Sequence, residues 1–506
     1  MGVFPAGSFY VRTQRLTCLL ALLLLAAGSM GADEAPVGER PWIEVKSPNF
    51  RIYSVLGEER TGELLRHLEI MRATLGDASE ESTYEAGIQT VIIAVDNHND
   101  YVDIGAPAYS GGYFFSDLRE NAILIEDSHD SAGIQVILHE YAHYLSRRAG
   151  RIRFPRWYEE GNAEYLSHSR LRNNGYEFAL APKEYIATLG FAQWMPLETL
   201  LQVSDASALG EIDGALFYAQ SWLLVHYLRS QATNDEEVDT RLARYAAHAS
   251  AGMTPVDAFA RAFDVDIDGL EDKLLRYYLE RQFAERSLPA DTALPGFSTR
   301  VRKMTTAEAR LALAQMALRF ENIDGAEHWF ESVLSDTELR ALAESGLGRI
   351  AGYRGDVEAA NARFESAIRM MAWDFFIWMD YAQYWAQRVS TSYSAQERTR
   401  YASKLIDALE NALTISEATP ELNSLMGFAY LAKGRSPHEA IEYLEAAAAE
   451  APHDQASRLL LANAYLYVGR LDDAARVAES VIRFEHEPGL ITSAAREVLD
   501  EARERR

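Results

Sequence analysis

Residues 139–143 of this chain read His-Glu-Tyr-Ala-His, and residues 157–165 read Trp-Tyr-Glu-Glu-Gly-Asn-Ala-Glu-Tyr. Side chains four positions apart lie on one face of a helix, so His139 and His143 can direct two imidazoles at a single metal ion. The H-E-x-x-H pattern is typical of hydrolytic zinc sites. Glu140 lies one step round the same helix, where its carboxylate can reach a water molecule at the metal.

The second stretch supplies the expected third ligand. A hydrolytic zinc ion takes three protein ligands and leaves one position open. Glu160 follows His143 at a distance that allows one loop and a second helix, which makes it the best third ligand. Glu164 lies four residues later on the same helix face and can accept a hydrogen bond from a ligand histidine. The alternative is a helix with two surface histidines, and the second acidic stretch makes it the weaker interpretation.

The composition limits the classes of partner. The chain has 506 residues, enough for two or three domains, and 48% of them are hydrophobic. Its 49 basic and 75 acidic residues give a formal net charge of -26. Nucleic acids are bound by clustered Lys and Arg, so this balance argues against a nucleic-acid partner. It also disfavours an anionic membrane surface.

Residues 1–32 have the pattern of a secretory signal peptide. Arg12 and Arg15 precede an apolar run at 16–27, and small residues follow it. The run is shorter than the roughly 20 residues that span a bilayer, so an uncleaved anchor is the weaker alternative. The single cysteine, Cys18, lies inside the run, so no disulfide is expected in the mature chain. These features predict export, with no stable membrane span after cleavage; in a bacterial chain the destination would be the periplasm or beyond.

The next two segments predict an α+β unit. Residues 33–130 have the period-two alternation and apolar runs of strands, with one helical stretch at 58–75. The predicted strands are 42–45, 50–55, 90–95, 111–115 and 121–126. Residues 131–287, which include both motifs, are expected to form the helical, zinc-binding part. Residues 288–305 contain Pro289, Pro295 and Gly296 and predict a linker.

Residues 306–490 contain a repeated pattern of small and bulky residues with a period close to 34 residues. Its clearest members are Gly348, Ala351, Gly355, Ala360 and Phe364; Gly427, Tyr430, Gly434, Ala440 and Leu444; and Ala462, Tyr465, Gly469, Ala474 and Ala478. The pattern resembles tetratricopeptide repeats, which form an all-α solenoid that binds proteins; an unrelated helical bundle is the alternative. The stretch 369–420 is longer than one period, and residues 491–506 are expected to form a C-terminal helix or tail.

The two motifs and the region 42–285 around them resemble the gluzincin class of zinc metallopeptidases, and in particular its bacterial peptidase MA-like branch. The resemblance implies a thermolysin-like zincin domain, built from a small mixed sheet and a helical subdomain, ahead of the solenoid. It implies that His139, His143 and Glu160 bind Zn2+ and that Glu140 is the general base. Glu164 would support a ligand from outside the coordination sphere.

Other residues match the family less specifically. Tyr218 stands where such enzymes often place a donor for the oxyanion, although it could equally be a tyrosine packed on an apolar helix. Gly111, Gly112 and Tyr113 are expected to form an edge strand that pairs with an extended substrate, or else a simple turn and strand. Asn162 departs from the Leu or Phe that is more common there.

Four histidines outside the two motifs also have a predicted location. His98, His129 and His168 have no ligand spacing and are expected at the surface, whereas His226 is expected to be a hydrogen-bonded interior residue.

The resulting hypothesis is an exported zinc metallopeptidase acting on a peptide or protein, with repeats that bind a partner or the substrate. Zinc lowers the pKa of its bound water from about 15.7 toward about 7, and Glu140 would take the proton. The alternative is a non-enzymatic, repeat-based adaptor that carries a vestigial zinc domain. A zinc hydrolase acting on something other than peptide is a third possibility.

Overall fold

The computed structural model describes most of the chain beyond the predicted signal region 1–32, which lies outside the described residues together with His129. The described residues are 35–76, 90–108, 110–116, 121–127, 132–148, 154–172, 175–203, 209, 211–250, 253–289, 299–434, 437–452, 454–484 and 489–506.

Nine strands are found in the described residues, after a short 3-10 turn at Val37–Glu39. In chain order they are β1 Ile43–Lys46, β2 Phe50–Ser54, β3 Thr90–Val95, β4 Gly112–Ser116, β5 Asn121–Glu126, β6 Arg170–Arg172, β7 Gly175–Phe178, β8 Arg286–Pro289 and β9 Arg300–Lys303.

The helices fall into two groups. The first contains α1 Glu58–Gly76, α2 His98–Ile104, α3 Ala132–Arg148, α4 Arg156–Ser167, α5 Lys183–Phe191, α6 Leu197–Gln202, α7 Glu211–Gln231, α8 Asp235–Ser250, α9 Pro255–Phe263 and α10 Ile267–Glu280. The second contains α11 Thr306–Arg319, α12 Ile323–Val333, α13 Arg340–Tyr353, α14 Val357–Met370, α15 Phe375–Thr391, α16 Ala395–Leu413, α17 Pro420–Lys433, α18 Pro437–Glu450, α19 Gln455–Tyr467, α20 Leu471–Phe484 and α21 Leu490–Glu504. None of the described helices is both long and apolar enough to cross a bilayer.

A mixed six-stranded sheet in the order β4-β5-β3-β2-β1-β9 forms the N-terminal part. β2, β3 and β5 run parallel, whereas β4, β1 and β9 pair antiparallel with their neighbours. β3 lies in the middle, where Thr90 pairs with Phe50 on one side and Asn121 on the other. This position explains the unbroken run of apolar residues in β3, because both faces of a central parallel strand are covered. β4 is an edge strand, as the sequence predicted for Gly112.

The two faces of this sheet bury different helices, because alternate residues of a strand point to opposite faces. Ile92 of β3 belongs to the same apolar core as Leu68 of α1 and Leu138 of α3. Ile93, the next residue, belongs to a second core with Leu313 of α11. The sheet therefore joins the helix that carries the two histidines to the first helix of the C-terminal part.

The helical part is centred on α3, α4 and α7. Gly161 of α4 lies directly against the backbone of Ser221 in α7, and a side chain at this position would overlap the Ser221 carbonyl group. Trp157 and Trp222, which flank this crossing, are fully buried. The stretch 131–287 is mostly helical. It also contributes to a small antiparallel sheet, formed by β6, β7 and β8.

Segment 288–305, predicted to be a linker, is tied into both sheets. β8 pairs with β7 in the small sheet, and β9 pairs with β1 at the edge of the large one. The backbone N–H of Met304 donates to the carbonyl oxygen of Trp42 at 3.0 Å. The linker prediction rested on proline and glycine content at 289–296, and residues 290–298 lie outside the described residues. The backbone pairing on both sides of them holds the two parts of the chain together.

Helices α11 to α20 form consecutive helix pairs, and α21 packs against the last pair. Gly348 of α13 lies against the Phe364 ring of α14, and Gly427 of α17 lies against Leu444 of α18. The small residues of the repeat pattern thus make room for the bulky ones, as predicted. The turns inside three pairs contain a glycine at positive φ, namely Gly355, Gly434 and Gly469.

The irregular stretch 369–420 contains the longest helices of this array. α15 has 17 residues and α16 has 19, against 14 each in α13 and α14. The side chains of Asp374 and Ser394 cap their N-terminal ends. The stretch is therefore an elongated helix pair within the same array.

Replacing Leu313 by alanine should loosen the sheet as well as the repeats. Leu313 is 0% exposed and lies in the core that contains Leu124 of β5. Truncating a buried leucine costs about 2–5 kcal/mol. We expect faster amide hydrogen exchange in peptides that cover β4 and β5, measured by mass spectrometry.

The matched control is Leu422→Ala, which truncates an equally buried leucine in the core of the later repeats. This variant should lose similar stability without changing exchange in β4 and β5. Unchanged exchange in both variants would mean that the sheet and the repeats unfold independently.

Candidate metal centre

The site is built by α3 and α4. The apolar side of α3, which includes Ile137, Leu138 and Tyr141, is buried against the sheet. His139 and His143 are therefore turned toward α4. Pro155 precedes α4 in an extended conformation that a helix start requires, and every residue of α4 after Arg156 is buried.

The three predicted ligands meet at one point. The Nε2 atoms of His139 and His143 lie 3.0 Å apart. Oε2 of Glu160 lies 3.2 Å from Nε2 of His139 and 3.3 Å from Nε2 of His143. All three ligating atoms lie within 4.8 Å of one another, and these side chains form a group that could hold a metal ion. This donor set of two imidazoles and one carboxylate is typical of catalytic zinc.

The charge state of the group suits metal binding. Burial lowers the pKa of His143 below its ordinary value, which favours the neutral imidazole. Burial alone would raise the pKa of Glu160, but His143, Arg156 and the imidazole hydrogen bonds outweigh it and hold the pKa well below the ordinary value. Neutral imidazole and ionised carboxylate are the forms that ligate a metal.

Glu164 contacts His139 on the side of the ring opposite Glu160. Its Oε1 lies 3.1 Å from Nδ1 of His139, so the other ring nitrogen of His139 is directed at Glu160. The Nδ1 atom of His168 lies 2.9 Å from the backbone oxygen of Glu164 and 3.4 Å from its Oε2. His168 is therefore not the surface residue that the sequence predicted, because it packs beside the carboxylate that supports a ligand.

Glu140 is the feature that a structural role accounts for least. It is 3% exposed. Neither of its carboxylate oxygens has a hydrogen-bond partner among the described residues. Buried polar groups are nearly always paired, and an unpaired carboxylate calls for a missing water molecule or ion. The residues present thus fit a metal ion with a water molecule beside Glu140.

Tyr218 lies one helical turn before Ser221, the residue that touches Gly161 next to Glu160. Positions three apart lie on the same side of a helix, so Tyr218 lies on the side of α7 that contacts α4. Its side chain is partly buried against the main core. This placement is compatible with both predictions, an oxyanion donor and a packed tyrosine.

The edge strand β4 passes along α3. A side chain at Gly112 would press on Val136 of α3, four residues before Glu140. Gly111 has open space around its Cβ position. Tyr113 does not face the site. Its ring centroid lies 5.2 Å from the ring centroids of Phe115 and Phe320, on the opposite face of the sheet. The Tyr113 side chain therefore belongs to this apolar core and not to the site.

Asn162 has a polar partner that explains its place in the motif. Nη2 of Arg229, in α7, donates to Oδ1 of Asn162 at 2.8 Å and to the Tyr158 hydroxyl at 2.7 Å. Tyr158 and Asn162 lie on the side of α4 that faces away from Glu160. The amide thus joins an arginine clamp between α4 and α7, where an apolar residue would leave the guanidinium with one partner fewer.

His226 and His98 lie where the sequence predicted them, in the interior and at the surface. Nδ1 of His226 lies 2.8 Å from the Tyr277 hydroxyl, and Nε2 lies 3.1 Å from the carbonyl oxygen of Ala179. Burial lowers the pKa of His226 to about 4, which keeps the ring neutral. His98 is an exposed partner of Glu126 at 2.6 Å.

Comparisons with known proteins find tetratricopeptide repeat proteins among solved structures and a repeat family model, but no curated protein that matches the chain. Among solved structures, a thermophilic tetratricopeptide repeat protein of Thermus thermophilus is 19% identical over 38% of this chain and 98% of that chain, with a TM-score of 0.33. A signal-transduction ATPase with a tetratricopeptide repeat sensor from Pyrococcus horikoshii is 14% identical over 90% of this chain and 79% of that chain, with a TM-score of 0.30.

A family model described as tetratricopeptide repeat matches residues 435–488, which cover α18, α19 and α20. The earlier pair of α13 and α14 has a similar small-residue contact, between Gly348 and Phe364. The protein is thus a mixed α/β chain, mostly helical, with a C-terminal helical array that resembles tetratricopeptide repeats.

A double-mutant cycle on the arginine clamp tests whether Asn162 and Arg229 act together. Arg229→Met should cost about 1–3 kcal/mol of unfolding free energy, since it leaves the buried Asn162 amide and Tyr158 hydroxyl without this donor. Asn162→Leu should also destabilise the chain. The double variant should lose less than the sum of the two, with a coupling of about 1 kcal/mol, measured by urea denaturation. Additive losses would show that the two side chains are energetically independent.

Proposed function

We propose that this chain is a zinc-dependent peptidase of the gluzincin type, in which the repeats bind a partner or the substrate. The observation that carries the proposal is the meeting of His139, His143 and Glu160 within 4.8 Å. The buried, unpaired carboxylate of Glu140 supports it, because it lies next to this group in sequence and has no other task among the described residues.

The chemistry divides between the metal and the chain. When bound, a zinc ion supplies Lewis acidity, which lowers the pKa of water toward about 7 and polarises a carbonyl group. Glu140 accepts the proton of the attacking water and passes it to the leaving amine. His139 and Glu160 are held in place by Glu164 and Arg156 from outside the ligand group.

The substrate is proposed to lie along β4. An edge strand offers unpaired backbone groups to an extended chain, and main-chain pairing is independent of the peptide's side chains. The contact between Gly112 and α3 brings this edge beside the helix of Glu140. Tyr218 is the proposed donor to the oxyanion that forms when the carbonyl is attacked.

The sheet and helices of the N-terminal part are proposed to be a thermolysin-like zincin domain. The support is a mixed sheet with an antiparallel edge strand over the histidine helix, followed by a second ligand helix. Export to the periplasm, inferred from residues 1–32, would place the enzyme where other exported proteins are its substrates.

Glu140→Gln tests the proposal directly. The amide keeps the shape of the side chain but cannot accept the proton, so the purified variant should retain one zinc per chain and lose at least about 100-fold in casein hydrolysis. Metal content is measured by atomic emission, and hydrolysis by release of labelled peptides.

Glu69→Gln is the matched control, because Glu69 is also buried but pairs with Asn49 beneath the sheet, at 2.7 Å. This variant should keep both the metal and the activity. A wild-type chain that binds zinc and hydrolyses no peptide under any condition would overturn the peptidase proposal.

A second function is favoured by the comparisons, which match the repeats. A chain with this array can act as a non-enzymatic adaptor, since stacked helix pairs form an extended surface for proteins. In that case the metal group would serve stability or be vestigial. Casein hydrolysis by the zinc-loaded wild type and by His139→Ala distinguishes the two functions: a peptidase hydrolyses casein and loses this activity in the variant, whereas an adaptor hydrolyses no casein in either form.

A further inference from the structure

The two oxygens of the Glu160 carboxylate have different partners. Oε2 faces the two imidazoles at 3.2 and 3.3 Å. Oε1 accepts from Nη2 of Arg156 at 2.9 Å. Glu160 is 1% exposed, so its second oxygen depends on this arginine for a partner in place of water.

Arg156 is an unusual residue for its position in the helix. It is the first residue of α4, whose N-terminal end carries a partial positive charge that disfavours a cation. Pro155 gives no side-chain cap there. The guanidinium thus weakens the helix start, and the contacts that offset this are its ion pairs with Glu160 and, at 4.0 Å, with Glu159.

We propose that Arg156 is a positioning residue that holds Glu160 so that only Oε2 ligates the metal. This inference rests on the proposed zinc site. With Oε1 bound to the guanidinium, the carboxylate is turned toward the imidazoles before any metal arrives. Ligation through one oxygen also leaves a coordination position open for water, which a carboxylate binding through both oxygens would occupy.

Two consequences follow for the metal-free and metal-bound protein. Without Arg156, the carboxylate can rotate about its terminal bond, and the ligand group is no longer ordered in advance. Outer partners of metal ligands typically contribute 10–100-fold in metal affinity. Lysine in its place keeps the charge but offers a compact ammonium in place of the planar fork, so it should restore part of the effect.

The experiment measures zinc affinity of the full-length, chelator-treated protein by competition with a chromophoric chelator. We expect Arg156→Ala to bind zinc at least about 10-fold more weakly than wild type and Arg156→Lys to lie between them. The control is Arg363→Ala, which removes an arginine from another buried carboxylate, Glu344, at 2.8 Å in the repeats. It should bind zinc as the wild type does.

The visible spectrum of the cobalt-substituted protein gives a second readout. A change from one to two ligating carboxylate oxygens alters the coordination number, so the absorption bands of Arg156→Ala should differ in intensity from those of the wild type. Loss of stability alone does not change these bands. Circular dichroism establishes that each variant is folded, and Arg156→Lys provides the test if the alanine variant does not fold.

The outcomes separate the inference from the proposed function. A wild-type chain without stoichiometric zinc binding overturns the metal site itself, and this inference with it. Zinc binding in the wild type, together with equal affinity and equal cobalt spectra in Arg156→Ala and Arg363→Ala, overturns only the role of Arg156.

Discussion

Two carboxylates on α4, those of Glu160 and Glu164, lie in the interior against α3, and the arrangement around them follows from satisfying their charges. A buried carboxylate without a partner is strongly unfavourable, so each must meet a cation or a hydrogen-bond donor. His139 contacts both carboxylates, His143 contacts Glu160, and Arg156 supplies a positive charge at the helix start. The spacing of four residues on each helix makes these contacts possible together.

This contact between helices needs a rigid support on both sides. α7 presses against α4 at Gly161, where the absence of a side chain allows the two backbones to touch. On the other side, α3 lies on the sheet, and the same sheet carries the first repeat helix on its opposite face. The ring centroid of Phe114 in β4 lies 5.6 Å from that of Tyr144 in α3. The ring centroid of its neighbour Phe115 lies 4.8 Å from that of Phe320, which follows α11. A single strand, β4, thus contacts both α3, which carries the two histidines, and Phe320, which follows the first repeat helix.

Much of this fold follows from local pattern. The apolar runs predicted strands at 90–95 and 121–126, and the structure has the same bounds, because a buried strand is marked by its own residues. β9 was missed, since Arg-Val-Arg-Lys is exposed and becomes a strand only by pairing with β1. The strands at both ends of the predicted linker were missed for the same reason: proline content is local, whereas strand pairing is between distant segments.

The site shows the same division between near and distant contacts. The three residues of the candidate metal group belong to two short motifs, so their spacing predicted that they would meet. The link between Arg229 and Asn162 joins residues 67 apart and leaves no pattern in the sequence. Arg156 is different, because an arginine four residues before a glutamate is a visible helix pair. It was passed over because such pairs usually lie on solvated faces, and burial of the carboxylate is what gives this one its importance.

The polarity of this interior also bears on the choice between an enzyme and a scaffold. Replacing buried ion pairs by apolar side chains of similar volume is often neutral or stabilising, so a helix that serves only packing has no need of these carboxylates. Glu160 and Glu164 at least lie within ion-pair distance of a histidine or an arginine. Glu140 is buried, and neither of its oxygens has a hydrogen-bond partner among the described residues. A buried, unpaired carboxylate lowers the free energy of unfolding. Groups held at such a cost cluster at functional sites, and this carboxylate therefore favours catalysis over a purely structural role for the N-terminal part.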